Sequence, residues 1–193
     1  MSASDPDSTE SGGPAVATRH AIVIDMTPQT TSEQPLEGTV LSEADFRMYE
    51  TTFIEGTDVS IGDRLVLAPT EEREEIDAFR EVGFSDLSNT ARNELEYAIE
   101  AIMQADPQRF LAVYNEAGPI SLRLHQLNLL PGIGQKLRDA ILDARKRGPF
   151  DSFDAVTDRV DGLHRPREII AERILEELED DSVKYQLFVG VGE

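Results

Sequence analysis

A short run of glycines, followed by basic residues, is the part of the sequence whose residue types best suit ligand binding. Pro131-Gly132-Ile133-Gly134 separates a leucine-rich stretch from a segment with apolar residues at helical spacing. Glycines in such a turn allow backbone angles that other residues avoid and let another backbone come close. The amides of Gly132, Ile133 and Gly134, with those of the following helix N-terminus, would form a cluster of donors that suits a phosphate oxygen.

Five basic side chains fall close to this turn in the sequence. Lys136 and Arg138 lie in the first turns of the predicted helix, where they can reach a phosphate bound at the turn. Arg145, Lys146 and Arg147 lie at the end of the same helix, where the helix dipole alone favours cations. The alternative interpretation is that the turn is a tight corner between packed helices and binds nothing.

The acidity of the chain makes this basic cluster unusual. The 193 residues include 38 Asp and Glu against 18 Lys and Arg, a formal net charge of −20, which repels a nucleic acid. Residues 1–119 carry 24 acidic and 7 basic side chains, whereas residues 120–173 carry 8 and 10. Only 3 of the 18 cationic residues are lysines, and we interpret this acidic coat as adaptation to a salt-rich cytosol. An ordinary acidic protein with a basic partner is the alternative.

The turn and its flanking apolar stretches resemble the helix-hairpin-helix element of nucleic-acid-binding proteins. The resemblance implies contact with the sugar-phosphate backbone without base reading, and turn carbonyls that can hold a monovalent cation. A degenerate second copy is expected around Gly162, thirty positions after Gly132, with His164 where a second glycine would stand. Its weaker candidate contacts are Arg165, Arg167 and Arg173.

The apolar pattern predicts an α+β fold. Ala21 to Ile24 and the segments around residues 38–56 and 61–67 have the composition of short strands, which indicates a small closed or nearly closed barrel. From Thr70, apolar residues at 76, 79 and 82 recur at helical spacing and predict a helix. Apolar residues alternate from Val183 to Val189 and predict a last strand that returns to the barrel.

A weaker binding surface is expected on the barrel. Phe46, Tyr49 and Phe53 lie on one strand-like piece, and such barrels often stack bases on aromatic rings. With 6% aromatic residues, core packing is the expected use of at least two of the three. Tyr49 with Arg47 is the best exposed pair, because both share one face of a regular strand.

The sequence offers little for catalysis. It has no cysteine, and its three histidines lie far apart without metal-ligand spacing. Neither a phosphate-binding loop nor a nucleophile elbow is present. The enzyme alternative is a base-excision glycosylase with Asp161 as its aspartate, but no lysine lies between Lys146 and Lys184. We therefore expect no enzymatic activity, no metal and no cofactor beyond the monovalent cation.

Taken together, the strands, the middle helices, "LNLLPGIGQKLRDAIL", "GPFDSF" and "YQLFVG" resemble an uncharacterised archaeal family, domain of unknown function 655, over about residues 19–190. The acidic coat indicates a haloarchaeal member. The family resemblance implies an oligonucleotide-binding-like (OB-like) barrel followed by a helical part with the hairpin. The expected organisation is a disordered acidic tail (1–18), the barrel (19–69), connecting helices (70–119), a helix-hairpin-helix domain with a degenerate second hairpin (120–181) and a C-terminal strand (182–193).

The expected function is non-enzymatic binding of a nucleic-acid backbone. The genes of the resembled family neighbour translation and ribosomal-RNA modification genes, which favours RNA over DNA. The alternative is a protein-interaction module that docks a basic ribosomal or transcription component and keeps the hairpin for structure alone. No apolar run is long enough to span a bilayer and no signal peptide is recognisable, so we expect a cytoplasmic protein without a membrane partner.

Overall fold

The computed structural model describes residues 17–31, 34–180 and 182–191. The tail predicted over residues 1–18 lies outside these residues except for Ala17 and Thr18. Within the described ranges, five strands are followed by five α-helices, so the expected α+β class is confirmed. The strands are β1 (Arg19–Thr27), β2 (Glu37–Ser42), β3 (Met48–Phe53), β4 (Arg64–Ala68) and β5 (Ile76–Val82).

The strands form one antiparallel sheet in the order β4-β1-β2-β3-β5, and the sheet curls into a half-barrel. Both of its faces carry buried side chains. The inner face holds a cluster that includes Ala21, Val23 and Leu67. On the outer face, Ile22 and Ile24 join a second core shared with the helices. Alternate residues of β1 thus serve two different cores.

The prediction of a helix from Thr70 is wrong. A 3-10 turn occupies Thr70–Glu72, and β5 then pairs with β3. The ladder skips Asp77, which forms a bulge, so Ile76 and Phe79 both lie on the inner face although they are three positions apart in the sequence. Val82 packs on the helical side. The sheet therefore extends beyond the predicted end of the barrel at residue 69.

The five helices follow the sheet in sequence. Their bounds are α1 (Asn89–Ala105), α2 (Pro107–Glu116), α3 (Gln135–Lys146), α4 (Phe153–Arg159) and α5 (Pro166–Glu179). Side chains cap three of them, because Ser88, Asp106 and Ser152 accept the amide three residues further on in α1, α2 and α4. In the described ranges, none of the helices combines the length and the apolar composition needed to cross a membrane.

The C-terminal segment, residues 182–191, returns to the sheet but not as the predicted strand. It consists of turns and bends. The Gly190 amide donates to the carbonyl oxygen of Asp45 at 2.8 Å, next to β3. Phe188 is buried, and its ring centroid lies 6.2 Å from that of Phe110 on α2. The segment thus ties the helices to one end of the sheet.

A buried carboxylate holds this segment in place. Glu177 of α5 is 1% exposed and accepts the amides of Leu187, Phe188 and Val189 at 2.7, 2.9 and 3.0 Å. The same carboxylate pairs with the buried Arg173 at 2.8 Å. Every oxygen of the Glu177 side chain therefore has a donor, which offsets the cost of burying its charge.

Replacing this carboxylate should destabilise the whole chain. Glu177→Ala leaves Arg173 with only the longer ion pair to Glu176 at 3.5 Å and three amides without an acceptor, so we expect the free energy of unfolding to fall by about 3–5 kcal/mol. Urea unfolding followed by circular dichroism measures the change. Glu179→Ala, at an exposed position of the same helix, is the control and should change stability by less than about 0.5 kcal/mol. Equal effects of the two substitutions would contradict this role of Glu177.

Candidate functional site

The glycine turn, residues 131–134, joins a short 3-10 helix (Gln126–Leu129) to α3. Gly132 has φ +74, in the left-handed region that favours glycine. Ile133 is 4% exposed and belongs to the main core, so it anchors the turn. Gly134 has φ −81 and ψ −175, which any residue adopts, and a Cβ built there meets nothing within 4 Å. The space beside Gly134 is therefore open.

The first turn of α3, directly after Gly134, has backbone donors without an acceptor in the described residues. Gly134 stands at the N-cap and supplies no side-chain cap. The first intrahelical bond runs from the Arg138 amide to the Gly134 carbonyl at 3.0 Å. In the described part of the chain, no acceptor is bonded to the amides of Gln135, Lys136 and Leu137. These three amides lie at the positive end of the helix dipole and suit an anion.

Two of the predicted turn donors are used inside the turn. The Ile133 amide donates to the Leu130 carbonyl at 3.1 Å, and the Gly134 amide donates to the Gly132 carbonyl at 3.3 Å. The prediction that Ile133 and Gly134 offer free amides is therefore wrong. The available donors lie one to three residues further along the chain, in the first turn of α3.

The basic residues of α3 divide into separate groups. Lys136 is exposed beside the free amides, whereas Arg138 is half-buried and bonds to Asn128 and to Asp139 at 2.8 Å. Lys146 pairs with Asp143 at 2.8 Å, and Arg147 is exposed at the C-cap. Because Lys136 and Lys146 are ten residues apart on a helix, about 15 Å separate them. They do not form one site.

Arg145 does not belong to an outward basic cluster. Its guanidinium donates to the carbonyl oxygens of Asn115 and Ala117 at 3.0 and 2.9 Å, at the C-terminal end of α2. The contact satisfies carbonyls that the helix leaves unpaired. The prediction of Arg145 as a nucleic-acid contact is contradicted by this inward position.

The second predicted turn lies against the first. Gly162 has φ +84, and a Cβ added to it would stand 3.7 Å from the Leu137 side chain in the first turn of α3. Arg165 is exposed with φ +51, and Arg167 is half-buried with a buried Nε that has no partner among the described residues. Arg173 is buried with Glu177, so its predicted approach to a nucleic-acid backbone is wrong.

The weaker surface predicted on the barrel is not formed. Tyr49 is 7% exposed, and its ring packs edge-on against Phe79 with the centroids 5.1 Å apart. Burial raises the pKa of Tyr49 above its ordinary value. Arg47 is partly exposed and pairs with Glu81 at 3.0 Å, which raises the pKa of the guanidinium. A base has no exposed ring to stack on at Tyr49.

Two residues that the sequence analysis did not single out fix the glycine turn. The Asn128 amide donates to the Ile133 carbonyl at 3.1 Å, while its oxygen accepts from Arg138 at 3.3 Å. His125 caps the 3-10 helix, because its Nδ1 accepts the Leu127 amide at 3.1 Å. Both are polar residues that lie beside leucines in the stretch before the glycine turn, and this position is what could have pointed to them in the sequence.

The stability of this corner should depend on pH through His125. Burial, with the nearby charges of Arg145 and Arg138, lowers the pKa of His125 below 6.5. The unfolded chain then binds a proton at higher pH than the folded chain, so the free energy of unfolding should fall as pH drops through 6.5 toward the lowered pKa. Urea unfolding between about pH 7.5 and 5.5 measures this loss.

His125→Asn is the informative variant, since its side-chain oxygen can accept the same amide without titrating. We expect the variant to lose less stability than wild type over that pH range. His164→Asn, at an exposed position, controls for the removal of one histidine. An unchanged pH dependence in His125→Asn would show that the imidazole is not the source.

Possible metal ligands do not gather in the described ranges: no group of three or more His, Asp or Glu residues is arranged to hold an ion there. The described residues thus define an α+β protein with a curled half-barrel, a helical layer and a glycine turn that opens α3. The model of the family described as "Protein of unknown function (DUF655)" matches residues 18–190, and the chain belongs to this family.

Archaeal relatives agree with this assignment. The uncharacterized protein MJ0038 of Methanocaldococcus jannaschii is 34% identical over 174 residues, which cover 88% of this chain and 79% of the relative. The crystal structure of Af1531 from Archaeoglobus fulgidus, described under the same family, is 32% identical with a TM-score of 0.79. The match covers 89% of this chain and 99% of that one. The resemblance to an archaeal family is therefore confirmed, and the family name assigns no function.

Proposed function

We propose that this protein binds a nucleic-acid backbone at the N-terminus of α3 without catalysing a reaction. One observation carries the proposal: the amides of Gln135, Lys136 and Leu137 have no acceptor in the described chain and directly follow Gly134, whose Cβ position is open. Three adjacent amides at a helix N-terminus match the oxygens of a phosphate. Lys136 adds a charge beside them. Because phosphates carry no sequence information, such binding is independent of base sequence.

In this proposal the 3-10 helix, the glycine turn and α3 act as a helix-hairpin-helix unit, and the half-barrel is an OB-like barrel. RNA is preferred over DNA, because the family resemblance implies genes that neighbour translation and ribosomal-RNA modification genes. The acidic coat is adaptation to a salt-rich cytosol, where screening removes long-range attraction but short amide-phosphate bonds remain. A monovalent cation at the turn carbonyls stays a prediction, with the Ile133 carbonyl already bonded to Asn128.

Gly134→Glu tests the proposal. Its backbone angles accept any residue and its Cβ has open space, so the variant should fold normally. The new carboxylate stands beside the free amides and repels a phosphate, and we expect at least about ten-fold weaker binding, or about 1.4 kcal/mol. Fluorescence anisotropy with labelled duplex RNA and duplex DNA measures the affinity.

Asn93→Glu on the exposed face of α1 adds the same charge away from the site and should bind as wild type does. Equal affinities of Gly134→Glu and wild type would contradict the proposed site. If wild type binds neither duplex at working salt, the function itself is wrong, and docking of a basic ribosomal or transcription protein becomes the better hypothesis.

The salt dependence should be shallow. Few exposed cations lie beside the free amides, so we expect two or three neutralised phosphates, each contributing roughly −0.9 to the slope of log affinity against log salt for duplex DNA. A titration from low to high salt should give a slope of magnitude below about 4. A steeper slope would mean a broad basic surface and contradict binding that is centred on the backbone amides.

A further inference from the structure

The longest stretch of the chain without an acidic residue runs from Ala117 to Arg138, between Glu116 and Asp139. At the average acidic content of 38 in 193 residues, a stretch of these 22 residues would hold about four Asp or Glu. It contains the glycine turn and the start of α3, but it begins well before them. Its first part is a tight loop, residues 118–125, which we name the tip loop. Carboxylates on a surface repel a polyanion, so their absence from this stretch favours contact with one.

The tip loop is held in one conformation by its own hydrogen bonds. At its base, the Gln126 amide donates to the Gly118 carbonyl at 2.9 Å, while the Gln126 side-chain oxygen accepts the Gly118 amide at 2.7 Å. Nearer the tip, the amides of Ile120 and Ser121 donate to the Leu124 carbonyl at 2.8 and 3.0 Å. The Ser121 hydroxyl oxygen accepts the Leu124 amide at 3.2 Å. The loop is therefore organised before any partner binds.

This organised loop holds an apolar side chain entirely in water. Leu122 has a relative exposure of 107%, the highest of the large hydrophobic residues that the structure describes. Arg123 beside it is exposed too, and its side chain has no hydrogen-bond partner within the described ranges. Leu122 is not buried in the folded chain, so it adds no hydrophobic stabilisation there, and its apolar surface is available to a partner.

We propose that the tip loop makes a second contact with the nucleic acid bound at the glycine turn: Leu122 packs on nucleobases at an unstacked step and Arg123 pairs with a flanking phosphate. The proposal rests on the proposed function. Apolar side chains that wedge into base steps beside arginines are an established mode of nucleic-acid binding. A hydrophobic pocket of a partner protein is the competing occupant, but it offers no reason for the loss of every acidic side chain over the same stretch.

The two contacts are close enough to act on one ligand. Asn128 bonds to the Ile133 carbonyl of the glycine turn at 3.1 Å, and Arg123 is five residues from Asn128. Five residues span at most about 18 Å. One strand of a DNA duplex rises about 3.4 Å per nucleotide, so the separation of Arg123 and Asn128 corresponds to about five nucleotides at most.

The test compares the full-length chain with its Leu122→Ala and Arg123→Ala variants. The probes are a duplex RNA with a single-nucleotide bulge and 2-aminopurine beside the bulge, and the same duplex fully paired. Wild type should raise the 2-aminopurine fluorescence, because the wedge unstacks the base. Leu122→Ala should lose that rise and bind the bulged RNA about ten-fold more weakly, while binding of the paired duplex changes little. Arg123→Ala should weaken binding of both probes.

Tyr97→Ala is the matched control, because Tyr97 is 70% exposed on α1 among acidic neighbours and should have no effect on binding. Urea unfolding should give wild-type stability for Leu122→Ala, because the Leu122 side chain is fully exposed and its removal breaks no contact within the fold. If Gly134→Glu weakens binding but Leu122→Ala keeps the affinity and the fluorescence rise, the tip-loop proposal is overturned and the proposed function stands. If wild type binds neither probe, both proposals are overturned.

Discussion

Strand β1 has to be covered on both of its faces, and the rest of the structure depends on this requirement. The four residues Ala21–Ile24 are all buried, and strand geometry sends two of them to each side. Curling of the sheet removes the inner pair from water, and the helices remove the outer pair. Burial of each of the three larger side chains, Ile22, Val23 and Ile24, contributes about 1.5–3 kcal/mol, so neither face can be left open. The outer core includes both Ile22 and Ile133 of the glycine turn, so the turn is packed into the same core as the sheet.

Arginines in this acidic chain serve the fold more than the surface. Arg109 stacks over Phe110 with 5.0 Å between the guanidinium and the ring centroid, and it donates to the carbonyl of Ala44 at 2.6 Å. Arg159 donates to the carbonyls at the end of α3, including that of Ala144 at 2.7 Å. Arg145 does the same for α2. A planar group with five donors suits such clusters of carbonyls. These three arginines are bonded to backbone carbonyls and are not available to bind an anion.

Most of the fold could be predicted from the sequence, and one missed strand explains the main errors. Strands β1 to β4, the helix pair around Pro107 and the glycine turn follow from local pattern and turn chemistry. Strand β5 could not be predicted, because its bulge at Asp77 lets apolar residues three positions apart share one face, a spacing that is also typical of a helix. Without β5 the inner face beside Tyr49 looked open, although Phe79 covers it. The C-terminal segment was predicted as a strand from its alternating apolar residues. Its amides bond instead to Glu177, a tertiary contact that sequence periodicity does not reveal.

Among the described helices, α3 and α5 begin without a side-chain cap, and α5 starts with Pro166, which has no amide to donate. Helices α1, α2 and α4 begin with side-chain caps, each of which contributes about 1 kcal/mol. Helix α3 begins with Gly134, which supplies no cap, and neither the backbone angles nor any neighbouring atom requires glycine there. Serine or aspartate at this position would stabilise α3 but would also occupy the amides and the space in front of them. Under the proposed function, this glycine keeps the amides of Gln135, Lys136 and Leu137 accessible to a phosphate.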